Sequence, residues 1–165
     1  MSILLSISID RRMIKLTKED KNLFTAGFIL GLGMVGAIDG IVFHQLLQWH
    51  HLILSSNIKL EIITDGVFTA LFSALMVWGA IKIFRDARND ELGYSWKIFL
   101  SGIFIGGGVF NLVEGIIDHH ILQVHRVRPM AENPLLYDLA FLASGVVMVF
   151  IGLWLKRLDQ KAERT

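Results

Sequence analysis

Four stretches of the chain are apolar over a length that crosses a lipid bilayer, and short polar segments separate them. A helix needs about 20 apolar residues to span the hydrocarbon core. Lipid cannot satisfy the backbone of an open strand, so a helix is the expected form of each stretch. The pattern predicts an all-α bundle of four transmembrane helices. The apolar stretches are 23–43, 66–81 with an extension to 84, 96–117 and 135–155.

Local signals mark where two of these helices begin. Asn133 followed by Pro134 is typical of a helix start, since proline fits the first helical turn. Thr64 or Asp65 is the expected N-cap of the second helix, because both residue types accept hydrogen bonds from free backbone N–H groups.

Glycines recur at helical spacing in the first and third stretches. Gly27 and Gly31 are four residues apart, as are Gly36 and Gly40, and Gly102 with Gly106 repeats the pattern. Such a face lets two helix backbones approach closely. We therefore expect the first and third helices to pack against each other.

A polar motif ends both of these glycine-rich stretches. Residues 39–50 and 114–125 share, at an offset of 75, an acid, a glycine, two aliphatic residues, a histidine, a glutamine and a second histidine. Two rare residue types in one register indicate an internal repeat. The second and fourth stretches also match, because each opens near an aspartate, Asp65 or Asp138.

The repeat predicts the organisation of the whole chain. Each half contains two helices, so both halves cross the membrane in the same direction and are related by a two-fold axis along its normal. The expected ranges are 1–22 for an N-terminal tail, 23–155 for one membrane domain, 23–85 and 96–157 for its repeats, and 156–165 for a C-terminal tail.

Composition supports a membrane protein and narrows its partners. Hydrophobic residues make up 53% of the chain, charged residues only 19%, and the mean hydropathy is +0.55. A net charge of +1 gives no basic footprint for nucleic acid. The absence of cysteine excludes disulfides and thiolate metal sites.

Charge distribution predicts how the chain is oriented. Lysine and arginine concentrate before the first stretch, between the second and third, and after the fourth. Basic loops stay in the cytoplasm. Both termini are therefore expected to be cytoplasmic, with the histidine motifs outside. Residues 1–9 form a short apolar run, and the first charged residues follow it. A cleavable signal would have positive charge before a longer apolar run, so this segment does not resemble one.

The acids and histidines of the motif are the candidate site, because ionisable groups at membrane depth are costly and usually functional. Within one continuous helix, His50 would lie about 9 Å above His44. The two repeats then predict two layers of metal ligands. The first contains His44, His119, Asp39, Glu114 and Asp118; the second contains His50, His51, His120 and His125. The expected outer shell contains Gln48, Gln123, Asp65 and Asp138.

Imidazole and carboxylate ligands suit zinc, copper, iron or nickel, and the residues leave several functions open. One is a metal-binding accessory protein. Another is an electron carrier that ligates haem through paired histidines. A third is a membrane hydrolase or oxygenase that activates water on a metal. An ion transporter and a purely structural role for the histidines are further alternatives.

The combined motifs resemble a family of small bacterial membrane proteins of unknown function, DUF2243. The resemblance covers about residues 27–155 and rests on segments 39–51, 65–66 and 110–120. Where the family pattern ends its second motif with two histidines, this chain has His125 and Arg126. The resemblance implies a multi-pass protein of the bacterial plasma membrane, found beside genes for oxidase assembly. A respiratory membrane complex is therefore an expected partner.

Overall fold

The structure is a computed structural model and describes residues 16–162. The expectations for residues 1–15 and 163–165 lie outside this range. The described chain is entirely helical and contains four helices long and apolar enough to cross a membrane, as predicted. They are α1 (Lys18–Asp39), α2 (Ile58–Arg88), α3 (Trp96–Glu114) and α4 (Pro134–Ala162).

Polar residues fix where the helices start. Thr17 accepts a hydrogen bond from the backbone of Asp20, and Ser95 caps α3 in the same way. The start of α4 at Pro134 is confirmed. The expected cap of α2 was wrong. Asn57 caps that helix, and the apolar pattern continues back to Ile58, so Asp65 lies inside the helix.

The two glycine-rich helices form the centre of the bundle, which confirms the predicted packing. α1 packs on α3, while α2 packs on the outer side of α1 and α4 on the outer side of α3. A side chain on Gly31 would overlap the backbone of Ile103, and one on Gly106 would overlap the backbone of Phe28. The backbones therefore meet where only glycine fits.

The outer helices present apolar side chains to their surroundings. On α2, Val77, Trp78 and Ile81 are exposed, and Phe150 and Trp154 are exposed on α4. A soluble protein would bury residues of this kind. Their exposure along helices of spanning length fits contact with lipid.

Both central helices continue as π-helices at the same end of the bundle. A first π-helix (Gly40–Leu46) follows α1, and a second (Gly115–Ile121) follows α3. These two ranges differ by the offset of 75 seen in the motif. The N-termini of α2 and α4 lie at this end as well. Descent of the two halves from one duplicated unit remains a prediction.

Candidate metal centre

The chain reverses direction directly after each π-helix. Gln48 and Gln123 both adopt a left-handed backbone with φ of 49°. Bonds from Leu47 N to Val42 O and from Trp49 N to Phe43 O close the first reversal, at 2.8 and 2.9 Å. This turn returns the following histidine to the end of the helix instead of carrying it further away.

The reversal places all four motif histidines in one layer. The ring centroids of His44 and His50 are 4.5 Å apart, and those of His119 and His125 are 4.9 Å apart. Between the two halves, the rings of His50 and His125 stack at 4.7 Å. The expectation of two layers was wrong, because it assumed a continuous helix.

Three of these histidines and Glu114 bring their ligand atoms close together. Atoms from His44, His50, His125 and Glu114 all lie within 4.8 Å of one another, and all four residues are buried. We call them the four-residue cluster. Spacings of this size allow small shifts to close the four groups around one ion.

Asp39 adjoins the cluster because of the π-helix. Residues five apart are hydrogen-bonded neighbours in a π-helix, as residues four apart are in an α-helix. Asp39 Oδ2 consequently lies 3.1 Å from Nε2 of His44. His119 lies on the other side, with its ring 6.0 Å from that of His50. The cluster and these two neighbours are all buried: Asp39, His44, His50, Glu114, His119 and His125.

Asp65 holds His44 in place from the first turns of α2. Its Oδ1 is 2.9 Å from Nδ1 of His44, its Oδ2 is 2.7 Å from Nδ1 of His51, and it also accepts from the backbone N–H of Leu52. With Nδ1–H donated to a carboxylate, His44 presents the lone pair of Nε2 to the cluster. Such carboxylate–imidazole pairs typically support metal-binding histidines.

Asp138 acts one step further from the cluster. It accepts from the backbone N–H of Val127 at 3.0 Å and from Arg126 at 3.2 Å. The carbonyl of Val127 in turn lies 2.8 Å from Nδ1 of His50. Nε2 of His50 therefore also faces the cluster as an acceptor. Asp138 supports His50 through the loop and makes no hydrogen bond with His119.

His50 and His125, in the loops after the two π-helices, favour the neutral imidazole form. Burial lowers the pKa of His50 to about 4. Burial, followed by the nearby His44, also lowers the pKa of His125. Neutral imidazole is the form that binds metal ions. Both rings are therefore in the ligating state without losing a proton.

The polar atoms at the centre of the cluster have no hydrogen-bond partner among the described residues. This holds for Nε2 of His44 and His50, for both carboxylate oxygens of Asp39 and Glu114, and for both ring nitrogens of His119 and His125. Buried polar atoms are normally satisfied, and leaving one unsatisfied costs about 1–3 kcal/mol. A cation among them would satisfy several at once, so the residues fit a metal ion.

Nine of the residues expected in the site lie outside the four-residue cluster: Asp39 and His119 adjoin it, Asp65 and Asp138 support it, and five have other positions. His51 pairs with Asp65, His120 bonds to the carbonyl of Gly115, and Asp118 is half-buried beside α3. Gln48 and Gln123 are exposed and make no hydrogen bond within the described chain, because they form the reversing turns. The two glutamines therefore do not form the outer shell that was expected.

No residue pattern directly indicated the roles of Val127 and Arg126. Val127 acts through its backbone, which leaves no trace in residue type. Arg126 occupies the position of His51 in the other motif and pairs with Asp138 as His51 pairs with Asp65. The replacement of the His50-His51 pair by His125-Arg126 in the second motif was the sequence feature that could have indicated the role of Arg126.

Fold and site together define an integral membrane protein with a buried candidate metal centre at one end of its bundle. The family model described as a predicted membrane protein, DUF2243, matches residues 26–159. The chain belongs to this family. No curated protein and no solved structure matches it.

Proposed function

We propose that this protein holds one divalent transition-metal ion through His44, His50, His125 and Glu114. The observation that carries the proposal is the convergence of unsatisfied, buried ligand atoms within 4.8 Å of one another. Two of the three histidines are oriented by partners on Nδ1, which leaves Nε2 for the metal. Nitrogen and oxygen ligands of this kind suit zinc, copper or iron.

Charge balance favours a single ion. Two buried carboxylates of the cluster region, Asp39 and Glu114, have only histidines as basic neighbours among the described residues, and no lysine or arginine pairs with them. Two buried negative charges in one site are strongly unfavourable. One divalent cation would neutralise both, with Glu114 as a ligand and Asp39 beside His44.

A complete ligand set supports a holding role over hydrolysis. Three imidazoles and one carboxylate fill a tetrahedral site, whereas a catalytic zinc keeps one position open for water. All four residues of the cluster are buried. We therefore favour a protein that binds or transfers a metal over a membrane hydrolase or oxygenase.

The spacing of the rings argues against the haem alternative. Two axial histidines must stand on opposite faces of a macrocycle. Here His50 and His125 stack directly, and His44 and His119 pack against their edges. The packing leaves no gap for a porphyrin between any of these rings.

The proposal extends to location and partners. Basic residues at the opposite end of the bundle support cytoplasmic termini and a metal centre on the outer side of the plasma membrane. A metal site there suits an accessory protein for a respiratory metalloenzyme, and the oxidase-assembly genes found beside similar proteins agree with this role. The basic residues are Lys18, Lys21, Lys82, Arg85, Arg88, Lys97, Lys156 and Arg157.

The test is elemental analysis with an absorption spectrum on detergent-purified protein, beside the His44→Ala/His119→Ala variant. We expect about one transition-metal ion per chain in the wild type, and its loss from the variant. Wild-type protein that stays metal-free after loading would refute the proposal. A Soret band would instead establish the haem alternative.

A further inference from the structure

A lateral opening separates α2 from α3 on one side of the bundle. The Cα atoms of these two helices stay more than 8 Å apart, because both pack on α1 and meet each other only through side chains. A cavity of about 250 Å³ lies in this opening, with Leu32 of α1 among its lining residues. We call it the α2–α3 groove. It faces the lipid, since Val113 at its side is 51% exposed.

Three aromatic rings form one part of its wall. Phe68 and Phe72 of α2 lie 4.7 Å apart between centroids, and Phe110 of α3 meets the ring of Phe72 edge-on at 4.9 Å. The other face of this group touches the metal centre, because Phe68 stacks on His44 at 5.1 Å. The groove therefore reaches from the lipid to the edge of the four-residue cluster.

Two carboxylates line the groove. Glu114 is 4% exposed, and both of its oxygens lack a hydrogen-bond partner among the described residues. Asp118 is half-buried, and its side chain makes no hydrogen bond with residues 16–162. An apolar cavity with unsatisfied acceptors suits a ligand that is apolar along its body and donates a hydrogen bond at its head.

We propose that the α2–α3 groove binds a small lipid-soluble aromatic alcohol, a molecule of the phenol or hydroquinone type, whose hydroxyl donates to Glu114 or Asp118. The ring would lie among Phe68, Phe72 and Phe110. This proposal goes beyond metal binding and does not depend on it, because Glu114 has two oxygens and Asp118 lies outside the cluster.

Size and chemistry select this class of ligand. Cavities for drug-sized ligands are about 300–1,000 Å³, so a groove of about 250 Å³ suits one ring with short substituents. Aromatic rings favour edge-on and offset contacts with another ring. A plain hydrocarbon would leave the acceptors of Glu114 unsatisfied, and such a mismatch weakens binding.

The other half of the bundle repeats only one of the three rings, since Phe141 takes the position of Phe68. Counting from Asp65 and Asp138, Gly145 takes the position of Phe72. At the offset of 75, Val35 takes the position of Phe110. The three-ring wall therefore belongs to one side of the bundle, which gives the proposal an internal control.

The experiment uses full-length protein in lipid nanodiscs and a 4-alkylphenol that carries a photoreactive diazirine. Crosslinked residues are mapped by mass spectrometry, with 4-propylphenol or propylbenzene as competitor. We expect labelling to concentrate on the α2–α3 groove and to be displaced by the phenol but not by propylbenzene. Val113→Trp should reduce labelling about tenfold, which corresponds to about 1.4 kcal/mol.

Ile38→Trp is the matched control, because Ile38 is the counterpart of Val113 at the offset of 75 and is 49% exposed. It should leave labelling unchanged. Even labelling of all lipid-facing helices, or equal competition by propylbenzene, would overturn the proposal, and the competition decides it even if Val113→Trp does not fold. Metal content measured on the same samples separates this result from the outcome for the metal centre.

Discussion

Nε2 of His44 lies 3.1 Å from Oδ2 of Asp39, while Nδ1 of the same ring lies 2.9 Å from Asp65. If Nδ1 donates its hydrogen to Asp65, Nε2 of the neutral ring carries no hydrogen. Nε2 and Oδ2 of Asp39 then face each other as two hydrogen-bond acceptors. Two facing acceptors repel in a site of low polarity. A metal ion bound at Nε2 removes this conflict.

Asp39→Asn should therefore stabilise the metal-free protein. The new amide can donate a hydrogen bond to Nε2 of His44, worth about 0.5–1.5 kcal/mol, and one buried charge disappears. For a chain of this size we expect the unfolding midpoint in chelator to rise by about 2–6 °C. The stabilisation should shrink or reverse once metal is added. Thermal unfolding in detergent, with and without metal, measures both effects.

Asp90→Asn provides the control for this substitution, because Asp90 lies in the turn after α2 at the opposite end of the bundle, with φ of 55° that asparagine tolerates. A lower midpoint for metal-free Asp39→Asn would contradict the account. It would show that His44 is a charged imidazolium paired with both aspartates.

Asp65→Asn should weaken the metal site without abolishing it. The variant keeps an acceptor but can no longer receive hydrogen bonds from His44, His51 and the Leu52 backbone together. Loss of such a supporting partner typically costs about 10–100-fold in metal affinity. Competition with a chelator of known affinity measures the change. If Asp65→Asn bound metal as tightly as the Asp90→Asn control, Asp65 would not support the metal site.

Gly31→Ala should destabilise the bundle. A Cβ at Gly31 would overlap the backbone of Ile103, and forcing two helices apart costs about 1–3 kcal/mol. Gly66→Ala is the matched control, since nothing lies within 4 Å of the Cβ it adds. Alanine at that helical position should be neutral or stabilise by up to about 1 kcal/mol. Equal midpoints for the two variants would contradict the close helix contact.

The sequence was sufficient for the number and packing of the helices. Hydropathy marks spans because lipid admits few charged residues, and spaced glycines mark the α1–α3 contact because only they let backbones meet. Asp65 was also recognised as a supporting residue. The start of α2 was misplaced because its first turns, with Glu61 and Lys59, are more polar than the span itself.

The shape of the site was beyond sequence reasoning. Nothing in residue type marks the π-helix at Gly40–Leu46 or the left-handed turn at Gln48, since glutamine rarely adopts that conformation. The sequence analysis assumed a continuous helix in place of that turn, which would put His50 about 9 Å from His44 along the helix axis. The support that Val127 gives to His50 comes from a backbone carbonyl, which only the folded loop reveals.

The most direct test of the metal centre compares two double variants by elemental analysis after metal loading. His50→Ala/His125→Ala removes two histidines of the four-residue cluster, whereas His51→Ala/His120→Ala removes two histidines that lie outside it. We predict that the first variant loses the bound metal and that the second retains about one ion per chain. Retention of metal by the first variant, or equal loss from both, would contradict the proposed centre.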